Sequence, residues 1–249
     1  MGPPLVFVHG WGFNGTIWDG FAGGLQATFQ VVTPDLPGYG RSPVPSGRMD
    51  LVVLAEALLG ACPARAIWIG WSLGGLVALQ AALSHPERVG GLVLIASSPC
   101  FVIGNGWPHG IDRAQLDQLK EAVDQDPRTA LERFITFIGQ LPQGSRAVSP
   151  QLRRCVDRFG IPAGSTLLGG LEILERSDLR ASLASLAGPL LVVLGGRDVL
   201  VPAAIGPFLA ERLTVGFRTA IIEGAGHVPF LSHPEQTLRL VKSFLNRHA

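Results

Sequence analysis

The chain has 249 residues and a formal net charge of +1; 47% of its residues are apolar and only 16% are charged. This composition excludes an intrinsically disordered chain, and the length suits one large domain with a buried core. Because lysine and arginine (20) nearly equal aspartate and glutamate (19), the overall charge gives no reason to expect binding to nucleic acid or to a membrane surface.

Short apolar segments recur along the chain, each followed by turn residues and a helical pattern. Segments that are apolar throughout are typical of strands buried on both faces of a parallel sheet. Their alternation with helices favours a mostly parallel, doubly wound α/β fold, formed as a single domain over residues 1–249. The clearest predicted strands are Leu5–Val8, Phe29–Thr33, Ala66–Gly70, Leu92–Ala96, Pro189–Gly195 and Arg218–Ile222.

The uncharged segment Ala66–Ser84 is long enough to cross a membrane, but Gly70, Ser72, Gly74 and Gly75 interrupt it. A strand, a sharp turn and a helix inside a folded domain explain this segment better. We therefore predict no membrane-spanning helix.

The alternation of strands and helices stops between about residues 100 and 186, where helical patterns predominate. Asp126-Pro127 is a typical helix start, and Leu131, Phe134, Ile135 and Ile138 follow at helical spacing. We expect this stretch to form a helical cap inserted between two halves of the sheet.

The segment Gly70-Trp71-Ser72-Leu73-Gly74 lies between a predicted strand and the helical run Leu76–Leu83. This is the setting of a G-x-S-x-G nucleophile elbow, in which a tight turn exposes the serine hydroxyl at the edge of the sheet. Such a turn brings the residues two before and two after the serine close to neighbouring backbone, so both are glycine. The alternative is a glycine-rich turn with an incidental serine.

A nucleophilic serine needs a base, and the base needs an orienting acid. Asp198 follows the strand Pro189–Gly195, and His227 follows the strand Arg218–Ile222. Both therefore belong at the same sheet edge as Ser72, and the order Ser, Asp, His is that of α/β-hydrolases. We predict Ser72, Asp198 and His227 as the catalytic residues.

Two other residues, His233 and Asp35, could be proposed as the catalytic base and acid, but local structure explains each of them more simply. His233 lies between Ser232 and Glu235, which have the spacing of a capping box and indicate a helix start. Asp35 lies in the turn-forming segment 35–40, so we expect it to form a turn.

Acyl transfer also needs two donors for the oxyanion. One should be the backbone N–H of Leu73, directly after the nucleophile, and the other should come from the loop after the first strand. We choose the N–H of Trp11, because Gly10 and Gly12 on either side let the backbone turn it inward.

The same loop also matches a different pattern. Residues 10–15, Gly-Trp-Gly-Phe-Asn-Gly, satisfy G-x-G-x-x-G, and Asp35 lies about 20 residues on, as in dinucleotide-binding folds. Trp11 and Phe13 are bulky where a pyrophosphate needs close approach, and this interpretation leaves the predicted triad unexplained. We therefore expect no dinucleotide, and no other cofactor or metal.

With these residues in place, the chain resembles the α/β-hydrolases, and within them the pimeloyl-acyl-carrier-protein methyl ester carboxylesterases of biotin synthesis. The segments 8–12, 35–42 and 70–75 recur in many hydrolases. More specific to this esterase family are Ala96-Ser97-Ser98-Pro99-Cys100-Phe101, Trp107-Pro108 and Gly169-Gly170-Leu171-Glu172-Ile173-Leu174.

The resemblance implies a serine esterase that demethylates a pimeloyl ester while the acyl group is attached to its carrier protein. It implies substrate contacts at Trp11, Ser72, Leu73, His227 and the cap residues Phe134, Ile135, Thr136, Phe137 and Ile138. Trp71 and Trp107 are further candidates for an apolar channel around the acyl chain, and ordinary core packing is the alternative explanation for these aromatic residues. A generalist esterase, lipase or perhydrolase, or a non-catalytic receptor on the same fold, remain alternatives.

The resemblance also implies that arginines of the cap contact the acidic carrier. Residues 128–158 contain six arginines against two acidic residues, an excess of four positive charges. A solvated helix face is the alternative explanation. The predicted docking residues are Arg128, Arg133, Arg146, Arg153 and Arg154.

One departure from the family concerns the start of the sheet. Family members usually have two further strands before the one at Leu5–Val8, which points to a truncated chain or a sheet that begins later. In either case Phe29–Thr33 is expected at the edge of the sheet.

The cysteines indicate the compartment. Cys62, Cys100 and Cys155 are an odd number at wide spacing, which suits neither a disulfide framework nor a paired metal site. Residues 1–4 contain no basic segment of the kind that begins a secretion signal. We expect a cytoplasmic monomer.

Overall fold

Among the residues that the structure describes, six parallel strands form one sheet in the order β2-β1-β3-β4-β5-β6. The computed structural model describes residues 2–139, 148–213 and 216–249. The strands are β1 Gly2–Val8, β2 Phe29–Val32, β3 Ala66–Trp71, β4 Val89–Ile95, β5 Leu190–Gly195 and β6 Phe217–Ile222. The helices are α1 Asp19–Ala22, α2 Leu51–Ala61, α3 Leu73–Ser84, α4 Arg113–Gln125, α5 Pro127–Ile138, α6 Ser149–Phe159, α7 Gly164–Arg176, α8 Ile205–Arg212, α9 Pro229–Ser232 and α10 Pro234–His248, with 3₁₀ helices at Gly15–Trp18 and Arg180–Ser185.

The apolar segments of the sequence form the strands because they are buried in the sheet. Every residue of β3 and of β5 is buried, as expected for strands covered on both faces. Helix α3 packs on β1, β3 and β4, while α10 packs on β4, β5 and β6. The predicted mostly parallel α/β architecture is confirmed.

The strand order changes direction at β1, since β2 lies on one side of it and β3 on the other. In doubly wound sheets such a reversal opens a crevice at the carboxyl ends of the strands. The loops after β1 and β3 border this crevice, and they contain Trp11 and Ser72. Strand β2 pairs only with β1 among the described residues, so the expected edge position of this segment is confirmed.

The segment between β4 and β5 contains the cap helices α4, α5, α6 and α7. Asp126 caps α5, accepting hydrogen bonds from the backbone N–H groups of Arg128 (3.1 Å) and Thr129 (3.2 Å). Glu175 of α7 binds Arg113 (2.6 Å) and Lys120 (2.7 Å) of α4. These contacts hold α4 and α7 side by side.

The capping box predicted at Ser232 and Glu235 is wrong. Ser232 ends the short helix α9, and its hydroxyl donates to the carbonyl oxygen of Val228 at 3.2 Å. His233 is the residue that precedes α10, with Pro234 at the first helical position. The hydroxyl is engaged by the preceding helix, so it does not cap the next one.

The uncharged segment Ala66–Ser84 forms β3, the turn at Ser72 and α3. Across the three described ranges, none of the helices combines the length and the apolar character that crossing a membrane requires.

Candidate active site

Ser72 is the single residue between the end of β3 and the start of α3, and its backbone has a positive φ of 53°. Its two flanking glycines are required by close contacts. A Cβ at Gly70 would lie 2.5 Å from the carbonyl oxygen of Gly74, and one at Gly74 would collide with the carbonyl oxygens of Val8 and His9. The local geometry is therefore that of the predicted nucleophile elbow.

The side chains of Ser72, His227 and Asp198 form one connected chain of hydrogen bonds. Nε2 of His227 lies 2.9 Å from Oγ of Ser72, and Nδ1 of His227 lies 2.9 Å from Oδ2 of Asp198. All three residues are buried, with 4–6% of their surface exposed. An imidazole in this position can take the serine proton while the carboxylate fixes its tautomer.

The carboxylate of Asp198 is held from its other side. Its Oδ1 accepts hydrogen bonds from the backbone N–H groups of Leu200 (2.9 Å) and Val201 (3.1 Å). Oδ2 is thus directed at His227, and the loop after β5 fixes the orientation of the pair.

Trp71 supports the imidazole and does not line a substrate channel. Its indole Nε1 donates to the carbonyl oxygen of His227 at 2.7 Å, and the two rings pack with centroids 5.8 Å apart. The Trp71 side chain is enclosed by Phe13 and Phe230. The predicted channel role of Trp71 is wrong, because β3 directs this side chain into the core behind His227.

The two predicted oxyanion donors are backbone groups at the carboxyl ends of β1 and β3. Leu73 is the first residue of α3, so its N–H has no acceptor within the helix. In the part of the chain that the structure describes, neither the N–H of Leu73 nor that of Trp11 donates a hydrogen bond. Leu73 itself is fully buried and offers this backbone group only.

The glycines around Trp11 have local structural reasons. A Cβ at Gly10 would lie 2.9 Å from the ring of Trp71, and Gly12 has a left-handed φ of 82°. The G-x-G-x-x-G pattern is therefore explained by this loop. Asp35, which the dinucleotide interpretation would need, binds its own chain through Gly15 N–H (2.6 Å) and Arg41 Nε (2.7 Å).

Asp35 organises the neighbouring turn, as expected. Burial by itself raises the pKa of this carboxyl, but hydrogen bonds from Arg41 and Gly15 outweigh it and hold the pKa below its ordinary value. The charged carboxylate thereby joins the start of the 3₁₀ helix Gly15–Trp18 to the turn at Arg41.

His9 is a site residue that the sequence analysis missed. Its Nε2 lies 2.9 Å from the N–H of Leu36 and accepts its hydrogen bond, so Nδ1 carries the proton and donates to the carbonyl oxygen of Gly10 at 2.9 Å. Complete burial lowers the pKa of His9 to about 4. The neutral ring ties the loop before Trp11 to the turn after β2.

A cavity of about 300 Å³ extends from Ser72 and His227 into the cap. The predicted contacts Trp11, Phe134 and Phe137 line it, and Trp11 meets Phe134 edge to face at 4.9 Å. Sequence analysis missed the other apolar lining residues, which are Phe101, Ile111, Leu116, Leu119, Ala122, Ala130, Leu171, Leu174 and Leu200. The polar lining residues are Ser72, His227, Gln115 and Arg133, so most of the wall is apolar.

Three predicted contacts of α5 do not line the cavity. Residues Ala130, Arg133, Phe134 and Phe137 face it, at helical spacing. Ile135 and Ile138 are buried in the core beside that face. Thr136 is exposed, and its hydroxyl donates to the carbonyl oxygen of Glu132 at 2.9 Å. Consecutive helical residues point in different directions, so the five could not all have contacted one ligand.

Four of the five predicted docking arginines lie on α5 and α6 with exposed side chains; we call Arg128, Arg133, Arg153 and Arg154 the cap arginines. Arg133 also lines the cavity. Arg153 donates to the hydroxyl of Thr136 at 3.3 Å. Arg146 lies outside the described residues.

Comparison with known proteins agrees with the fold. A profile described as the alpha/beta hydrolase family matches residues 5–240. The chain therefore belongs to the alpha/beta hydrolase family. It is 43% identical over 235 residues to the pimeloyl-[acyl-carrier protein] methyl ester esterase of Edwardsiella ictaluri, covering 93% of this chain and 88% of the relative. The enzyme of the same name from Aeromonas hydrophila is 40% identical over 247 residues, covering 98% and 96%.

These relatives confirm the family resemblance inferred from the sequence. Among solved structures, an esterase from Exiguobacterium antarcticum superposes with a TM-score of 0.86 at 24% identity, covering 98% of this chain and 92% of that one. A bromoperoxidase from Bacillus anthracis gives a TM-score of 0.87 at 23% identity, covering 99% and 92%. Because both structures are less than 25% identical in sequence to this chain, the superpositions are evidence for the fold alone.

Proposed function

We propose that the chain is a serine carboxylesterase that hydrolyses the methyl ester of a pimeloyl group carried on acyl-carrier protein, a step in biotin synthesis. The observation that carries the proposal is the hydrogen-bonded chain Ser72–His227–Asp198 at one end of an apolar cavity. The substrate is inferred from the relatives, which are pimeloyl-[acyl-carrier protein] methyl ester esterases.

The proposed reaction uses the chain's own groups and needs no metal or organic cofactor. Oγ of Ser72 attacks the ester carbonyl carbon as its proton passes to Nε2 of His227. The N–H groups of Trp11 and Leu73 donate to the oxyanion of the tetrahedral intermediate. His227 then protonates the departing methoxide, and methanol leaves the acyl group on Ser72. Water attacks the acyl-enzyme as His227 takes its proton, and His227 passes this proton to Oγ of Ser72 as the bond to the acyl group breaks and the acid leaves.

The cavity suits the methylene chain of the proposed substrate. Its volume of about 300 Å³ and its apolar wall accept an aliphatic segment, while Ser72 and His227 meet the neutral ester. The methyl ester is uncharged, so bringing it to this site avoids the cost of removing a carboxylate from water.

Docking of the carrier is the second part of the proposal. The cap arginines present positive charge on the surface of the helices that cover the cavity, and acyl-carrier protein is acidic. Charge of opposite sign steers such partners together and orients them. Arg133 belongs both to this surface and to the cavity wall, which suits the place where a carrier-linked acyl chain would pass inward.

The remaining parts of the proposal concern the setting of the protein. We infer a cytoplasmic monomer that binds neither nucleic acid nor membranes. The near-neutral composition supports the absence of nucleic-acid and membrane binding, and the three widely spaced cysteines support a reducing compartment.

The experiment is genetic and biochemical. The chain is expressed in a host that lacks its own methyl esterase, and growth without biotin is measured beside the Ser72→Ala variant. We expect growth with the unaltered chain and none with Ser72→Ala. Purified protein is then assayed on pimeloyl methyl ester with and without carrier protein. Equal rates on both would favour a generalist esterase.

A fluorophosphonate probe separates an enzyme from a receptor of the same fold. An activated Ser72 should be labelled covalently, and Ser72→Ala should not be. Absence of labelling together with failure to restore growth would remove the proposal.

A further inference from the structure

Ser97 places its hydroxyl beneath the nucleophile elbow. Its Oγ donates a hydrogen bond to the backbone carbonyl oxygen of Ser72 at 2.8 Å, and the side chain is fully buried. The same carbonyl accepts hydrogen bonds from the N–H groups of Gly75 (3.0 Å) and Leu76 (3.2 Å), which are the first turn of α3. Ser97 is thus a third donor to this oxygen, and it comes from the end of a different strand.

This contact matters because the Ser72 carbonyl and the Leu73 N–H belong to one planar peptide group. A donor that fixes the direction of the carbonyl also fixes the direction of the N–H at the opposite end. A hydrogen bond to a carbonyl oxygen further polarises the peptide and strengthens its N–H as a donor. The Leu73 N–H is the group assigned to the oxyanion.

The backbone around Ser97 is shaped to make this contact. Ala96 has a left-handed φ of 45°, which is uncommon for a residue other than glycine. Ala96 stays attached to the sheet through its N–H, which donates to the Val193 carbonyl at 2.9 Å. A Cβ at Gly75 would lie 2.5 Å from Oγ of Ser97, so the second glycine after the nucleophile provides the space.

The next serine makes a different contact. Oγ of Ser98 donates to the carbonyl oxygen of Cys100 at 2.6 Å, within its own turn. Both serines are buried, and they are adjacent in the chain. The Ser98 hydroxyl also accepts from the N–H of Cys100 at 3.3 Å, so its removal deletes two buried hydrogen bonds, whereas removal of the Ser97 hydroxyl deletes one. Of the two serines, Ser97 is the one that contacts the elbow.

We propose that Ser97 is a positioning residue that orients and polarises the Ser72–Leu73 peptide and so sets the strength of the Leu73 oxyanion donor. The proposal rests on the proposed esterase function. It assigns a role to the Ala96–Phe101 segment, whose sequence pattern the triad leaves unexplained.

The test compares Ser97→Ala with Ser98→Ala as the matched control. Hydrolysis of p-nitrophenyl butyrate gives kcat and KM, and an aliphatic trifluoromethyl ketone gives an inhibition constant for an adduct that carries an oxyanion. For Ser97→Ala we expect kcat to fall about 10-fold and the inhibition constant to rise by a similar factor, because both depend on the oxyanion donors. KM should change less than about twofold.

For Ser98→Ala we expect kcat, KM and the inhibition constant to stay within about twofold of the wild-type values, although Tm should fall at least as much as in Ser97→Ala, because two buried hydrogen bonds are lost. A purely structural role of Ser97 would lower Tm without a selective loss of oxyanion binding. Wild-type kcat and inhibition constant in folded Ser97→Ala overturn the proposal, as do equal losses in the two variants.

If Ser97→Ala does not fold, Ser97→Cys carries the test, since a thiol has similar size and is a weaker donor. A smaller rise of the inhibition constant is then expected, and a wild-type value overturns the proposal. Failure of the esterase function itself looks different, because the unaltered chain would then hydrolyse the ester no faster than Ser72→Ala.

Discussion

The indole Nε1 of Trp11 donates a hydrogen bond to the backbone carbonyl oxygen of Leu167 over 2.8 Å, joining the loop after β1 to helix α7 of the cap. Asn14 makes a second connection, donating from Nδ2 to the carbonyl oxygen of Cys155 in α6 at 2.8 Å. The loop that contains one predicted oxyanion donor, the N–H of Trp11, is therefore anchored to cap helices α6 and α7. Displacement of the cap displaces that donor.

Trp11→Phe tests this anchorage. The substitution keeps an aromatic ring at the cavity wall but removes the indole donor that reaches the Leu167 carbonyl from outside the helix. We expect the free energy of unfolding to fall by about 1–3 kcal/mol and kcat for a short ester to fall about 10-fold. Urea denaturation and steady-state kinetics measure the two effects.

Trp107→Phe is the control for that prediction. Trp107 is also buried, and its Nε1 donates to the carbonyl oxygen of Cys100 at 3.0 Å, away from the Trp11 loop. The free energy of unfolding should fall by a similar amount in Trp107→Phe as in Trp11→Phe, with little change in kcat. Equal kcat losses in the two variants would contradict a specific role of the Trp11 anchor.

Asp198→Asn tests the orientation of the imidazole. Asparagine has one oxygen that can accept a hydrogen bond, whereas the carboxylate has two. If that oxygen accepts from the backbone N–H groups of Leu200 and Val201, the amide nitrogen faces Nδ1 of His227 and cannot accept from it. The wrong tautomer of His227 is then favoured, and we expect kcat to fall about 10,000-fold. Asp126→Asn, in the cap of α5, is the control, because asparagine caps a helix as well as aspartate does. A modest loss in Asp198→Asn would show that His227 is oriented by other contacts.

Gly74→Ala should be severely destabilising. The new Cβ would collide with the backbone oxygens of Val8 and His9, so either the elbow or β1 has to move. We expect a loss of at least about 2 kcal/mol in unfolding free energy, measured by chemical denaturation. Gly60→Ala in α2, where a Cβ meets no atom within 4 Å, should instead gain about 0.5–1 kcal/mol. A tolerated Gly74→Ala would be inconsistent with the tight turn.

His9 predicts how stability depends on pH. Its pKa is about 4 in the folded protein against an ordinary value of 6.5, because burial disfavours the charged ring. Between these values the unfolded chain binds more protons than the folded one, so stability falls as the pH drops from about 6.5 to about 4. The free energy of unfolding that is lost in this way is on the order of 3 kcal/mol, and the loss is complete near pH 4.

Urea denaturation between pH 7 and pH 4.5 measures this slope. His9→Gln removes the titrating ring and should flatten the dependence, whereas His248→Gln, at an exposed position in the last helix, should leave it unchanged. An identical slope in wild type and His9→Gln would show that other groups control acid stability.

Charge reversal on α6 tests carrier docking. The double variant Arg153→Glu and Arg154→Glu should lower kcat/KM for the carrier-linked pimeloyl ester about 10-fold and weaken its dependence on salt, because attraction to an acidic partner is lost. The loss on p-nitrophenyl butyrate should be much smaller. Arg218→Glu, on the exposed edge strand β6, is the control. Equal losses on both substrates would place the effect in the site rather than in docking.

The sequence was most informative where local pattern and topology coincide. Ser72, Asp198 and His227 follow three strands of one parallel sheet, so their meeting at one edge could be predicted without side-chain detail. The relatives agree with the enzyme class expected from these residues, a carboxylic ester hydrolase. Residues whose roles depend on contacts with distant parts of the chain were missed. The role of His9 follows from the hydrogen bond that it accepts from Leu36, and that of Ser97 from the hydrogen bond that it donates to the Ser72 carbonyl. The face that α5 turns to the cavity also depends on packing, which is why Ile135 and Ile138 were wrongly assigned.

The apolar wall of the cavity bears on how a catalytic cycle ends. Ester hydrolysis converts a neutral group into an acid that is ionised at neutral pH, and an ion is poorly accommodated where few polar atoms surround it. Among the described lining residues Arg133 is the only cation, and its exposed side chain offers that charge at the water boundary. Hydration of the newly formed anion therefore favours its release from the cavity, so we expect hydrolysis to promote departure of the product.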